Sequence, residues 1–312
     1  MSSNKHYNAL SDFYKNKFNK KVAKIALNAN FTCPNKDGKK GFGGCTYCSK
    51  LGSGDTAGDR NLSLTDQFYQ IKKVMDNKWN DLLYIPYLQS NSNTYGSLEK
   101  LKSVYNEILS INDERIVGLA IATRPDCFTP EIYEYLGELN KVIPLSVELG
   151  LQTSNEHTGK IINRLSTNDE FIDAANNLRK YDIEVVVHII NGLPNETETD
   201  MLNTIDFINK LDIQGIKFHS LLILKDTQIY EDYQNNPFHI QTLEEYVDIC
   251  VKQIARLKPS IIIHRLAADG VINDIVMPKW PIKKLVVMNE IDKLMRKLNI
   301  YQGDDFKTNP HQ

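Results

Sequence analysis

No apolar run in this 312-residue chain approaches the length of about eighteen residues that reads as a membrane-spanning helix. No membrane association is therefore expected. The opening stretch MSSNKHYNALSDFYKNKFNKK has no apolar signal core, which points to a cytoplasmic protein. Cysteine is scarce: five residues, an odd number, with three of them crowded together. That pattern argues against a disulfide framework and for a reducing compartment. Internal repeats, low-complexity segments and a linker-like stretch are absent as well. What remains is ordinary globular composition, 41% hydrophobic and 24% charged, with enough chain for one large core. Single α/β barrels reach this size, so length does not force two domains. The net charge of −2 is unevenly spread. Residues 1–50 carry ten Lys and two Asp, a balance of +8, which leaves −10 for the rest. Lys15, Lys17, Lys20, Lys21 and Lys24 lead into a loop that adds Lys36, Lys39 and Lys40. Such clustering fits either phosphate contacts or a solvated arm.

That loop, CPNKDGKKGFGGCTYCS, holds Cys33, Cys45 and Cys48. A two-residue gap lets Cys45 and Cys48 turn toward one metal centre, and the glycine-rich arm lets Cys33 fold back as a third ligand. A structural zinc site would need a fourth ligand. The nearest outside candidates are His6 and Cys127. Three thiolates from one loop suit a [4Fe–4S] cluster with one iron left open. A zinc-binding or reactive-thiol loop is the alternative. The loop resembles that of a radical S-adenosylmethionine (SAM) enzyme. Its eleven-residue first gap, with DG and GG inside and Tyr47 between the last two cysteines, is similar to the YtqA/YhcC-like branch, which is related to the catalytic subunit of Elongator. YLQSNSNTY, TRPD, HRLAADG (264–270) and YQGDDF (301–306) extend the resemblance over nearly the whole chain.

The rest of the chain alternates apolar runs with helical stretches, which argues for a parallel sheet covered by helices. Strands are expected at 24–31, 81–89, 115–123, 144–152, 184–192 and 215–224, with a further strand-like run at 261–267. Helices are expected from Ser63 to about Trp79, from Leu98 to Leu109, after Pro130, at 168–180, up to Lys210, at 242–257 and at 282–298. Thr167 or Asn168 should cap the fourth of these helices. Six strand–helix units match the architecture the resemblance implies, an α/β fold built on a partial (β/α)6 TIM-type barrel. The expected division is a basic N-terminal extension (1–23), the barrel (24–225) and a C-terminal strand and helix extension packing on it (226–312). In such barrels chemistry gathers at the C-terminal ends of the strands.

The candidate residues follow from that edge. Gln89 and Thr94 replace the usual GGE-like segment after strand two and offer hydrogen bonds to SAM. Arg124 and Asp126 after strand three are read as a loop-fixing pair. Cys127 is either a hydrogen-atom donor or an inert apolar residue, and Cys250 belongs to the core. Glu148 and Gln152 lie on one side of strand four. The resemblance implies that they contact SAM, with Arg164 meeting its carboxylate; a structural Glu148–Arg164 pair is the alternative. Gly192 would let backbone approach adenine. His188 is read as a satisfied core histidine. Lys217 and His219 share one face of strand six, either the lumen, where they would meet an anionic substrate, or a covered exterior. The resemblance further implies reductive cleavage of SAM to a 5′-deoxyadenosyl radical, with electrons from a donor such as flavodoxin or ferredoxin. The branch is linked to tRNA anticodon wobble uridines, turning carboxymethylaminomethyl-uridine into aminomethyl-uridine. A radical SAM enzyme for a small molecule or peptide, and a non-catalytic iron–sulfur or zinc protein, are the competing readings.

Overall fold

Apolar residues alternate with polar or small ones along most strands, and this divides one curled sheet into an outer face under helices and an inner face around a lumen. The computed structural model describes residues 5–307 apart from 51, 53, 55 and 269. In chain order the elements are α1 (Leu10–Phe18), β1 (Val22–Leu27), α2 (Leu64–Asp76), β2 (Leu83–Leu88), α3 (Leu98–Leu109), β3 (Leu119–Thr123), α4 (Pro130–Val142), β4 (Leu145–Gln152), α5 (Glu156–Ile161) and α6 (Asn168–Arg179). They continue as β5 (Glu184–Asn191), α7 (Glu198–Asn209), β6 (Gly215–Ser220), β7 (Ile223–Leu224), α8 (Gln228–Asn235), α9 (Leu243–Arg256), β8 (Ile262–Arg265), β9 (Ile275–Met277) and α10 (Lys284–Leu298). Seven strands pair in parallel in the order β1-β2-β3-β4-β5-β6-β8. The fold is the expected partial barrel. No helix among the described residues is long and apolar enough to cross a membrane.

Helix starts follow local chemistry. Thr167, Thr197 and Thr242 form capping boxes with Glu170, Asp200 and Glu245, and Pro130 occupies the first turn of α4. On the outer face, Leu145, Val147, Leu149 and Leu151 of β4 join Val185, Val187 and Ile189 of β5 in the main core. On the inner face, Ile85, Tyr87 and Ala120 form a separate cluster with Tyr14 of α1 packed against it. The run at 261–267, expected in an extension, supplies β8, which pairs with β6 and lengthens the sheet. The strand expected over 215–224 stops at Ser220; Ile223 and Leu224 turn away to pair antiparallel with β9.

The basic N-terminal segment, which in sequence leads straight into the lysines of the cysteine loop, is separated from them in the fold. Its helix α1 precedes β1, so it lies at the end of the barrel opposite the cysteine loop. Ala9 bridges Ile263 of β8, and α1 then runs toward β1, crossing between the two edge strands of the sheet. Lys24 is no surface charge: within β1 it points into the lumen. Residues 1–4 and 308–312, the ends of the expected terminal extensions, fall outside the described residues, as does Asp269 of HRLAADG.

Candidate active site

The cysteine loop leaves β1 at the C-terminal edge of the barrel and folds on its own backbone. The Cys33 carbonyl accepts from the N–H groups of Lys36 and Asp37, the Pro34 carbonyl from Lys40 and Gly41, and the Asn35 carbonyl from Gly44. Gly38, Gly43 and Gly44 take positive φ, which a side chain would resist. The Cys48 N–H donates to the Cys45 carbonyl at 2.9 Å, a turn that brings those two thiols together. Buried Asn35 donates to the Asn163 carbonyl at 2.5 Å and lies 3.7 Å from Cys45 Sγ. Lys36 Nζ donates to the Ser49 carbonyl at 2.8 Å. Cys45 is drawn down to about 6 by its contact with Cys48, against burial, with Arg124, Tyr47 and Asn35 assisting. Cys33, Cys45 and Cys48 all line one cavity of about 240 Å³. Among the described residues no three His, Cys, Asp or Glu side chains gather around one point, as a closed single-ion site would need. Three thiols facing one cavity suit a cluster, where each binds its own iron.

The neighbouring rim is polar. Gln89, Asn91 and Ser92 line the cavity after β2. Asn91 Oδ1 and Ser92 Oγ are buried with no hydrogen-bond partner among the described residues. Thr94 does not reach the cavity; its hydroxyl meets Thr123 at 2.6 Å. Arg124 and Asp126 pair through two 2.8 Å bonds, and Lys40 Nζ joins Asp126 at 2.8 Å. Cys127 is 5% exposed, absent from the lining, and pushed up by burial. Cys250 lies in α9, 3.8 Å from Asn191 Nδ2.

In the lumen, Glu148 is 1% exposed and both oxygens are engaged. Oε1 takes Lys24 Nζ at 2.5 Å; Oε2 takes the Tyr87 hydroxyl at 2.6 Å, His188 Nε2 at 2.7 Å, and Lys217 Nζ. Burial pushes this carboxyl up, but Lys217, Lys24 and His188 outweigh it and hold Glu148 well below the usual range. Burial also pulls Lys217 down to about 7, with Lys24 and Arg265 adding to it against Glu148. It pulls His188 down to about 4, helped by Lys217. Gly150, His188, Lys217 and Arg265 stand in one register across β4, β5, β6 and β8, and the Gln152 side chain takes the space beside Gly150. His219 lies one inward step further along β6, its ring 5.1 Å from that of His188.

Several expectations change here. Lys217 and His219 face the lumen, not a covered exterior. His188 is satisfied by Glu148, as expected, but it lines the lumen and not the apolar core. Glu148 lines the cavity and meets Lys24 and Lys217, not Arg164. Arg164 does not line the cavity. Its guanidinium donates to the carbonyls of Ser166, Leu151 and Thr153 and to Glu156, so it stitches β4 to the following loop. Gly192, whose φ is +82°, does not line the main cavity, and Gln241 fills the place a side chain would take there. Gln152 does line the cavity. Lys24 and Arg265 were missed as lumen groups. The available signal was a lysine sharing one strand face with Val22 and Ala26, and an arginine directly after IIIH.

A family model described as the Radical SAM superfamily matches residues 38–208, and a Radical SAM C-terminal domain model matches 213–297. YtqA of Bacillus subtilis (strain 168) is 40% identical over 306 residues, 98% of this chain and 94% of its own length. A tRNA-2-methylthio-N(6)-dimethylallyladenosine synthase from Thermotoga petrophila is 25% identical over 200 residues, 61% of this chain and 43% of its own. Among solved structures, an N-terminally truncated archaeal Elp3 from Methanocaldococcus infernus superposes with a TM-score of 0.64 at 18% identity, covering 90% of this chain and 64% of that one.

Proposed function

This chain belongs to the radical SAM superfamily, and on that premise we propose that it modifies the side chain of a tRNA wobble uridine, converting carboxymethylaminomethyl-uridine to aminomethyl-uridine. The observation that carries the reading is a three-cysteine loop and a basic wall lining one cavity at the C-terminal ends of the strands. The tRNA-modifying relative supports the substrate class.

Members of the family use a [4Fe–4S] cluster and SAM. The residues present suit both: three thiols and the unpaired polar atoms of Asn91 and Ser92 face one cavity. Cys33, Cys45 and Cys48 hold the cluster, while Gln89 and Gln152, with Asn91 and Ser92, hold SAM. Thr94 and Arg164 act from behind by fixing the rim, Glu148 by bracing the lumen wall from within the cavity lining, and Gly192 by shaping a turn. When bound, these groups supply a 5′-deoxyadenosyl radical that takes a hydrogen atom from an unreactive carbon. The chain's part is to place the substrate carbon and to exclude water. Cys127, buried away from the cavity, has no share in hydrogen transfer.

The substrate's glycine unit offers carbon–hydrogen bonds flanked by nitrogen and carboxylate, where loss of hydrogen leaves a stabilised radical. Removal of one further electron, to a carrier of the ferredoxin or flavodoxin class, gives an iminium. Water adds to it, the carbon–nitrogen bond breaks, and glyoxylate leaves with aminomethyl-uridine as the other product. The anticodon stem-loop would bind over the mouth with its base turned inward. Nucleoside mass spectrometry of tRNA from a deletion strain tests this. Carboxymethylaminomethyl-uridine should accumulate and aminomethyl-derived nucleosides should fall; an unchanged wobble profile would move the enzyme to a small molecule or peptide.

A further inference from the structure

Between Cys33 and Cys45 the cysteine loop makes an outward turn. Asp37 and Phe42 pair across it as an antiparallel bridge, and the Gly38 N–H donates to the Gly41 carbonyl at 3.0 Å. Phe42 is 80% exposed, more than any other large apolar side chain among the described residues. A single exposed apolar residue is ordinary, but this ring is held in place. Its Cε1 and Cζ lie 2.7 Å from where a side-chain carbon on Gly38 would sit, and that glycine has a φ of +92°. Gly43, the next residue, borders open space. A second chain segment meets the same turn. Leu165 is 41% exposed, and its Cδ1 packs on Gly41. Its φ of +59° is a left-handed conformation that a leucine resists. Buried Arg164 fixes that conformation by donating from Nε to the Ser166 carbonyl at 2.7 Å. Two apolar side chains are thus presented outward on rigid backbone.

Charge says what covers them. The loop from Cys33 to Lys50 carries four lysines and one aspartate, a balance of +3. Lys40 is engaged by Asp126 and Glu170. Lys39, between the two glycines, is exposed and its ammonium meets no carboxylate among the described residues. Asp37 is occupied within the turn, accepting from the Lys39 N–H and facing the Tyr95 hydroxyl. We propose that Phe42, backed by Gly38 and flanked by Leu165 and Lys39, is a stacking platform for an unpaired base of the bound RNA, with Lys39 on a phosphate. The platform rests on the tRNA reading above and adds where a nucleotide beside the modified one is held. A stable protein interface buries on the order of 1,200 Å² or more. One ring and one leucine on a turn are too small for that, whereas a stacked base needs a single ring. Gly44 and Cys45, just beyond Phe42, line the cavity. The three steps from Phe42 to Cys45 span at most about 11 Å. A base turned into the cavity therefore leaves its chain neighbours near the ring.

The test titrates an anticodon stem-loop into anaerobically reconstituted, SAM-saturated enzyme. The fluorescent base 2-aminopurine replaces the neighbour on one side of the wobble uridine or the other. Wild type should quench it on one side, as stacking on an aromatic ring does. Phe42→Trp should keep both quenching and affinity. Phe42→Leu, apolar but unable to stack, should lose the quenching and weaken binding about tenfold or more with iron content unchanged. Full affinity and quenching in Phe42→Leu overturns the platform. Normal RNA binding by Phe42→Leu with slower reduction by flavodoxin also overturns it, and gives the ring to a protein partner. Either result beside an altered wobble profile in the deletion strain removes the platform and leaves the tRNA reading standing. Wild type that does not bind the stem-loop, with an unchanged wobble profile, removes both.

Discussion

Cys33, Cys45 and Cys48 open onto one cavity, whereas Cys127 and Cys250 are buried away from it. Iron analysis after anaerobic reconstitution should therefore divide them. Alanine at any of the first three should lose most of the iron, and serine at Cys127 or Cys250 should keep it; full iron in Cys33→Ala would refute the assignment. Arg164 calls for the opposite pattern. Alanine there strands the carbonyls of Thr153 and Ser166, each unpaired buried group costing about 1–3 kcal/mol. Chemical denaturation should show a large stability loss with SAM affinity unchanged, and the reverse result would return Arg164 to the SAM site. Lys217 adds a pH dependence. Its ammonium faces Lys24 on β1, Tyr87 on β2, Glu148 on β4, His188 on β5, His219 on its own strand and Arg265 on β8. Burial, reinforced by Lys24 and Arg265, brings it to about 7. The charged form binds an anion, so the affinity of N-acetylglycine, which carries the substrate's glycine unit, should be full below that value and fall as pH rises through it. A flat profile from pH 6 to 8, a window set about Lys217, would contradict this.

Glu148 links elements that are far apart in sequence: β1 through Lys24, β2 through Tyr87, β5 through His188 and β6 through Lys217. Glu148→Gln keeps the shape and removes the charge, leaving two lysines to repel each other in the lumen. Breaking a buried ion pair from one side costs about 3–5 kcal/mol. Guanidinium denaturation should show a loss of that order, and a change under about 1 kcal/mol would mean that water or rearrangement already screens the lysines. These elements also mark what the sequence could and could not reveal. Strands such as β4 and β5 were readable because their apolar outer residues follow a period of two. Helix α6 was readable from Thr167 and its capping partner. The end of β6 was not, because the apolar run Leu221–Leu224 continues past the point where the chain leaves the sheet. Helix α1 was obscured by its lysines, since its inward contact rests largely on Tyr14. The cysteine ligands were readable from local spacing. The lumen pairs were not, because Lys24, Glu148 and Lys217 meet only once the sheet curls.

At the scale of the molecule, charge separates into two groups that the sequence placed together. Lys15, Lys17, Lys20 and Lys21 sit at the floor, where Lys20 pairs with Asp81 and Lys21 lies over Trp79. Lys39, Lys50 and exposed Phe42 belong to the mouth. Neutralising the four floor lysines should leave the salt slope of tRNA binding unchanged. Neutralising Lys39 and Lys50 should reduce it, by up to about one unit per lost phosphate contact. A slope that responds only to the floor lysines would place the RNA on the wrong end of the barrel. Deuterium transfer gives the most direct test of the whole account. tRNA carrying carboxymethylaminomethyl-uridine, deuterated at the glycine methylene, is incubated with reconstituted enzyme, SAM and a reductant, and both products are followed by mass spectrometry. The account predicts aminomethyl-uridine and deuterium-bearing 5′-deoxyadenosine rising together. Aminomethyl-uridine formed while 5′-deoxyadenosine stays free of deuterium would contradict it.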